Sequence, residues 1–139
     1  MAMDARTFER MRRMLGIYAT DCWGIAETHE SHPLRVLDVI HPPSLARKGL
    51  QMAVNDIVEE LSHATPERVA RIDAHMAERD AMTLSEARLR FSRDLRKIRK
   101  RGVIANEDEY YLVRNAVDFA EEGERDALWS LLGDFETRA

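Results

Sequence analysis

With Cys22 as its single cysteine, the chain cannot form an intramolecular disulfide, which fits a reducing, cytoplasmic setting. Glycine and proline are scarce, at six and four residues, so few positions interrupt a helix by backbone chemistry alone. No apolar run approaches the roughly 18 residues that cross a bilayer, so no membrane association is expected. The first residues, MAMDARTFERMRRMLGIYATD, are broken by acids and are not expected to act as a signal peptide. A glycine-rich phosphate loop, a nucleophile elbow and a kinase signature are all missing. The expectation is therefore a protein without catalytic residues or a cofactor, and not an enzyme.

What remains is a helix-forming composition. Apolar residues make up 45% and charged residues 33% of 139, which is globular rather than disordered, and residues 1–139 are expected to form a single domain. Phe8, Met11, Leu15, Tyr18, Cys22 and Ile25 recur at steps of three and four, predicting a first helix over about 4–30 with Cys22 as a small buried hydrophobe. Gly16 and Gly24 fall inside it, as sites of close packing or a bend. Pro33 is placed to start a short helix that the Pro42–Pro43 pair must end, although 33–43 reads equally as loop. Ser44 is expected to cap a helix over about 45–62 carrying Leu50, Val54, Ile57 and Leu61. Thr65 caps the next, with Pro66 in its first position and Val69, Ile72 and Met76 inward.

Two capping boxes follow. In TLSE, Thr83 and Glu86 are spaced to satisfy each other's backbone donors, opening a helix with Leu84, Phe91, Leu95 and Ile98 inward that stops near Gly102. In NEDE, Asn106 and Glu109 repeat the logic for a helix to Gly123. Its inward direction is set by Leu112, Val113, Ala116, Phe119 and Ala120. A last helix, over about 124–136, carries Leu128, Leu131, Leu132 and Phe135. Nothing alternates long enough for a confident strand. The expected fold is all-α, a single-domain bundle of about six helices with short connections.

Charge is segregated in the second half. Arg88 to Arg101 holds eight cations against one acid, and Glu107 to Asp126 eight acids against two arginines. Helix dipoles account for Lys100, Arg101, Glu107 and Asp108 but do not reach Arg93 or Arg96. At 100° per residue, Leu84, Phe91, Leu95 and Ile98 lie within about 40° of one direction, and Arg93, Arg96, Lys97 and Lys100 gather opposite. They form either a solvated outer face or a partner surface. Tyr111 points away from the inward face of its helix and Trp129 sits beside the last apolar stripe, so both are candidate anchors.

The segment LRKIRKRGVIANEDEYYLVR, residues 95–114, resembles part of a group of small bacterial helical proteins, some of them immunity proteins of contact-dependent toxin systems. The likeness covers about 20 of 139 residues. It implies a non-catalytic protein that binds another protein, and it carries over no binding residue.

The leading expectation is thus a protein partner met through Arg93, Arg96, Lys97, Lys100, Tyr111 and Trp129; pairing of two copies through opposite charges is a variant of it. A second reading is a nucleic-acid binder using the basic helix 88–101, against which stand the acids of 107–126 and a net charge of −4. A third is a metal-dependent enzyme. His29 and His32, three residues apart, would share a helical face, and Glu60 with His63 has the Glu-x-x-His spacing of di-metal bundles. No second copy of that motif exists, and no metal is expected.

Overall fold

The computed structural model describes residues 4–138, and its elements are all helices. Eight occur among the described residues, more than the expected six: α1 Ala5–Asp21, α2 Pro33–Asp38, α3 Pro43–Glu60, α4 Pro66–Glu78, α5 Leu84–Phe91, α6 Arg93–Arg101, α7 Glu107–Val117 and α8 Glu122–Arg138.

Several starts follow the expected chemistry. Thr65, Thr83 and Asn106 each accept a hydrogen bond from the backbone N–H three residues on, satisfying a donor that the first turn leaves free. Pro33 and Pro66 open their helices. The reciprocal half of each capping box is not made. Glu86 instead pairs with Arg10 at 2.7 Å, and Glu109 accepts from the Ala105 N–H and from Arg101. Ser44 is not a cap: α3 begins one residue before it, with Pro42 in the cap position and no side-chain bond there.

α1 is shorter than its apolar stripe suggests. Gly24 takes a left-handed φ of +71°, which glycine adopts without steric cost, and Trp23 N–H and Ile25 N–H fold back on the carbonyls of Tyr18 and Ala19. The helix therefore ends at Asp21, and Cys22 lies beyond it, exposed rather than in the core. At Gly16 an added Cβ would stand 2.8 Å from Leu34, so this glycine allows α2 to cross α1 closely.

The largest departure is at Ser92. The apolar spacing predicts one helix from 84 to 102, but Ser92 has extended dihedrals of −65° and 122° and serves both neighbours. Its N–H donates to the Arg88 carbonyl at 2.8 Å, and its hydroxyl accepts from Leu95 N–H at 3.1 Å. Gly102, at φ +80°, closes α6 as expected.

This break separates two clusters of buried side chains. The first is drawn from α1–α5 and the turn before α5, with Met14, Leu15, Leu50, Ile57 and Leu84 fully enclosed. The second comes from α6–α8 and includes Leu95, Ile98, Ile104, Val113, Leu128 and Leu132. Each enclosed Leu or Ile contributes about 1.5–3 kcal/mol by leaving water. α5 bridges the clusters, packing on α3 and α4 on one side and α7 on the other. The last two helices also divide earlier than expected, α7 ending at Val117. Phe119 consequently sits in a turn and is 38% exposed, not inward, whereas Ala120 is buried. No helix is long and apolar enough to cross a membrane among the described residues.

Candidate functional site

α6 sorts its cations by helical angle. Leu95 and Ile98 face the second core. On one flank Arg99 reaches Glu124, at the start of α8, at 3.3 Å. On the other Arg101 pairs with Glu109, in the first turn of α7, and also donates to the Val103 carbonyl. Arg93, Arg96, Lys97 and Lys100 occupy the remaining side; all four are exposed, and none makes an ion pair among the described residues. The six cations of one short helix thus fall into two committed flanks and an uncommitted ridge.

That ridge is intrinsically unfavourable. Arg93–Lys97 and Arg96–Lys100 are like-charge pairs four residues apart, each costing about 0.2–0.5 kcal/mol on a helix surface. Lys100 recovers part of this from the helix dipole, and Arg93, at the N-terminal end, sits at the wrong pole.

The two rings lie elsewhere, on the face shared by α7 and α8. Tyr111 is 38% and Trp129 46% exposed. Tyr111 meets the edge of Tyr110 at 5.5 Å, and Tyr110 stacks on Phe135 at 5.3 Å. The Tyr110 hydroxyl donates to Glu136 at 2.6 Å, a bond that raises the phenol's pKa. Trp129 is covered on one face by the Arg114 guanidinium at 5.2 Å, whose other neighbour is Asp118 at 3.8 Å. No hydrogen bond or ion pair among the described residues joins these rings to the α6 ridge, so the six predicted residues form two patches rather than one.

Neither a family model, nor a characterised protein, nor a solved structure matches the chain.

Arg88, part of the basic run in sequence, belongs to the interior, at 4% exposure. Its guanidinium donates to the Leu61 carbonyl at 2.7 Å, occupying an acceptor at the end of α3. Asp73 stands nearby, accepting from the Ser85 N–H at 3.0 Å and from the Ser85 hydroxyl. Burial raises the Asp73 pKa against the pull of those bonds and of Arg88, and burial lowers the Arg88 pKa while Asp73 supports it. The sequence carried a signal for this placement: Leu84, Ala87, Arg88 and Phe91 are spaced as one helical face.

The histidine pairs do not assemble as their spacing suggested. Because α1 ends early, His29 lies in a turn, where its Nδ1 accepts from Ser31 N–H. His32 is buried as the cap of α2. Glu60 is engaged by the Tyr18 hydroxyl and, at 3.3 Å, by Trp23 Nε1; burial is the main cause of the raised Tyr18 pKa, with Glu60 adding to it. No group of three or more His, Cys, Asp or Glu side chains is arranged to hold a metal among the described residues.

Proposed function

We propose that this chain is a non-catalytic binding protein whose α6 ridge docks on an acidic surface of another protein. The observation that carries this reading is the contrast within α6: Arg99 and Arg101 are neutralised by Glu124 and Glu109, while Arg93, Arg96, Lys97 and Lys100 keep their charge in solvent. Carboxylates of α7 and α8 therefore reach the flanks of α6, while no ion pair among the described residues reaches the ridge. A row of free cations accelerates encounter with an acidic partner and penalises a wrong one by charge repulsion. Tyr111 and Trp129 offer a second patch, each ring held by an aromatic or cationic neighbour and so presented with little rotamer freedom left to lose. Neutralisation of a toxin is the form that binding takes in some of the proteins the 95–114 segment resembles.

The test is capture from source cells with the wild-type chain and with an Arg93→Glu, Arg96→Glu, Lys97→Glu, Lys100→Glu variant as baits, at low and high salt. A protein retained by the wild type, lost on charge reversal and weakened by salt is the expected outcome. Equal retention by both baits would overturn the reading. Loss of retention on nuclease treatment, with a log–log salt slope near about −0.9 per phosphate contact, would replace it by nucleic-acid binding.

A further inference from the structure

Where α5 gives way to α6, a cleft of about 350 Å³ opens at the seam between the two cores. Its apolar wall includes Leu89, Phe91 and Phe119. Leu89 packs on the second core and Phe91 on the first, so the wall is held from both sides. Phe119 projects from the turn after α7, fixed there by its N–H on the Ala116 carbonyl at 3.1 Å.

The rim is charged and mostly self-neutralised. Glu86 is paired with Arg10 and Glu124 with Arg99, leaving Arg90 and Glu121 as the rim charges without an ion pair among the described residues. Arg99 also connects the cleft to the ridge, since Arg96 precedes it by one turn and Lys100 follows it on α6. An apolar wall within an otherwise polar and charged lining, next to a row of free cations, combines an anchoring surface with the polar surround typical of interfaces. The volume admits one aromatic ring with room to spare.

We propose that this cleft anchors an aromatic side chain carried on an acidic segment of a partner protein, with the segment's carboxylates lying along the α6 ridge. The proposal rests on the ridge reading and adds to it a pocket and a residue type.

It is tested by fluorescence anisotropy on the intact chain, using a labelled peptide of glutamates and aspartates around one central phenylalanine beside the same peptide with serine at the centre. The phenylalanine peptide is expected to bind at least about fivefold more tightly, the scale on which a buried aromatic anchor acts. Phe119→Ala should erase that advantage and leave the serine peptide unchanged. Gln51, on α3, also lines the cleft; Gln51→Trp, which fills it while leaving Leu89, Phe91 and Phe119 in place, should do the same and covers the case in which Phe119→Ala fails to fold. Glu121→Lys should tighten both peptides.

Equal binding of the two peptides, still abolished by reversing the ridge charges, would overturn the anchor pocket and leave the ridge reading standing. Failure of both peptides to bind would overturn both. Self-association of the free chain that Gln51→Trp abolishes would assign the cleft to a second copy and likewise defeat the proposal.

Discussion

Arg88 is the one cation of the 88–101 run that the fold encloses. A guanidinium enclosed in the protein is tolerated because a carbonyl and a nearby carboxylate compensate it. Arg88→Met should therefore cost about 2–4 kcal/mol in urea denaturation, because the Leu61 carbonyl and Asp73 are both left without it. In a double-mutant cycle with Asp73→Asn the two losses should fall short of additive; strict additivity would show that the two residues do not interact. The pH dependence follows from the raised Asp73 pKa. Between the ordinary carboxylate value and the raised native one, the folded state binds the proton more strongly. Stability at this residue is thus greatest in acid and declines as pH rises through that window. The stability advantage of wild type over Asp73→Asn should shrink from about pH 3.5 upwards, a range starting near the unperturbed carboxylate value. An advantage that grows with pH would contradict the assignment.

Among the elements, those whose starts carry a threonine or asparagine cap were legible in the sequence. Thr65–Pro66, Thr83 and Asn106 each open a helix where expected; of the two alternatives open for 33–43 a helix at Pro33 is found, and the Pro42–Pro43 pair opens α3 as well as following α2. The α5–α6 break was not legible, and the reason is geometric. Leu84, Phe91, Leu95 and Ile98 line up on an ideal uninterrupted helix, so periodicity conceals that Leu84 and Leu95 serve different cores. A serine without glycine or proline beside it gives no counter-signal. Gly24 is the opposite case: a glycine at positive φ stops α1 although the apolar spacing continues past it. Of the candidate site, the free face of α6 could be anticipated from angle alone, since Leu95 and Ile98 fix its inward direction. The pairing of Arg99 and Arg101 could not, because their partners depend on how α7 and α8 are docked. Ser92→Ala should cost about 1 kcal/mol through loss of the α6 cap, measured by thermal or urea unfolding. A neutral result would mean that the hydroxyl bond to Leu95 contributes nothing beyond what water supplies.

At the scale of the molecule, two buried clusters of unequal size share one chain, the larger in α1–α5 and the smaller in α6–α8. Local opening follows local burial, so amides of α6–α8 are expected to exchange hydrogen through an opening of lower free energy than those of α1 and α3. A single common opening energy would show that α5 couples the two clusters into one cooperative unit. The two tryptophans, both exposed, stand one on each half: Trp23 lies edge-on to Tyr18 beside Glu60, and Trp129 of α8 lies under Arg114 of α7. Each half consequently carries its own chromophore, in its own electrostatic environment. With Trp23→Phe or Trp129→Phe, the remaining indole would report by emission on one half alone, so the order in which the two come apart becomes a matter of colour.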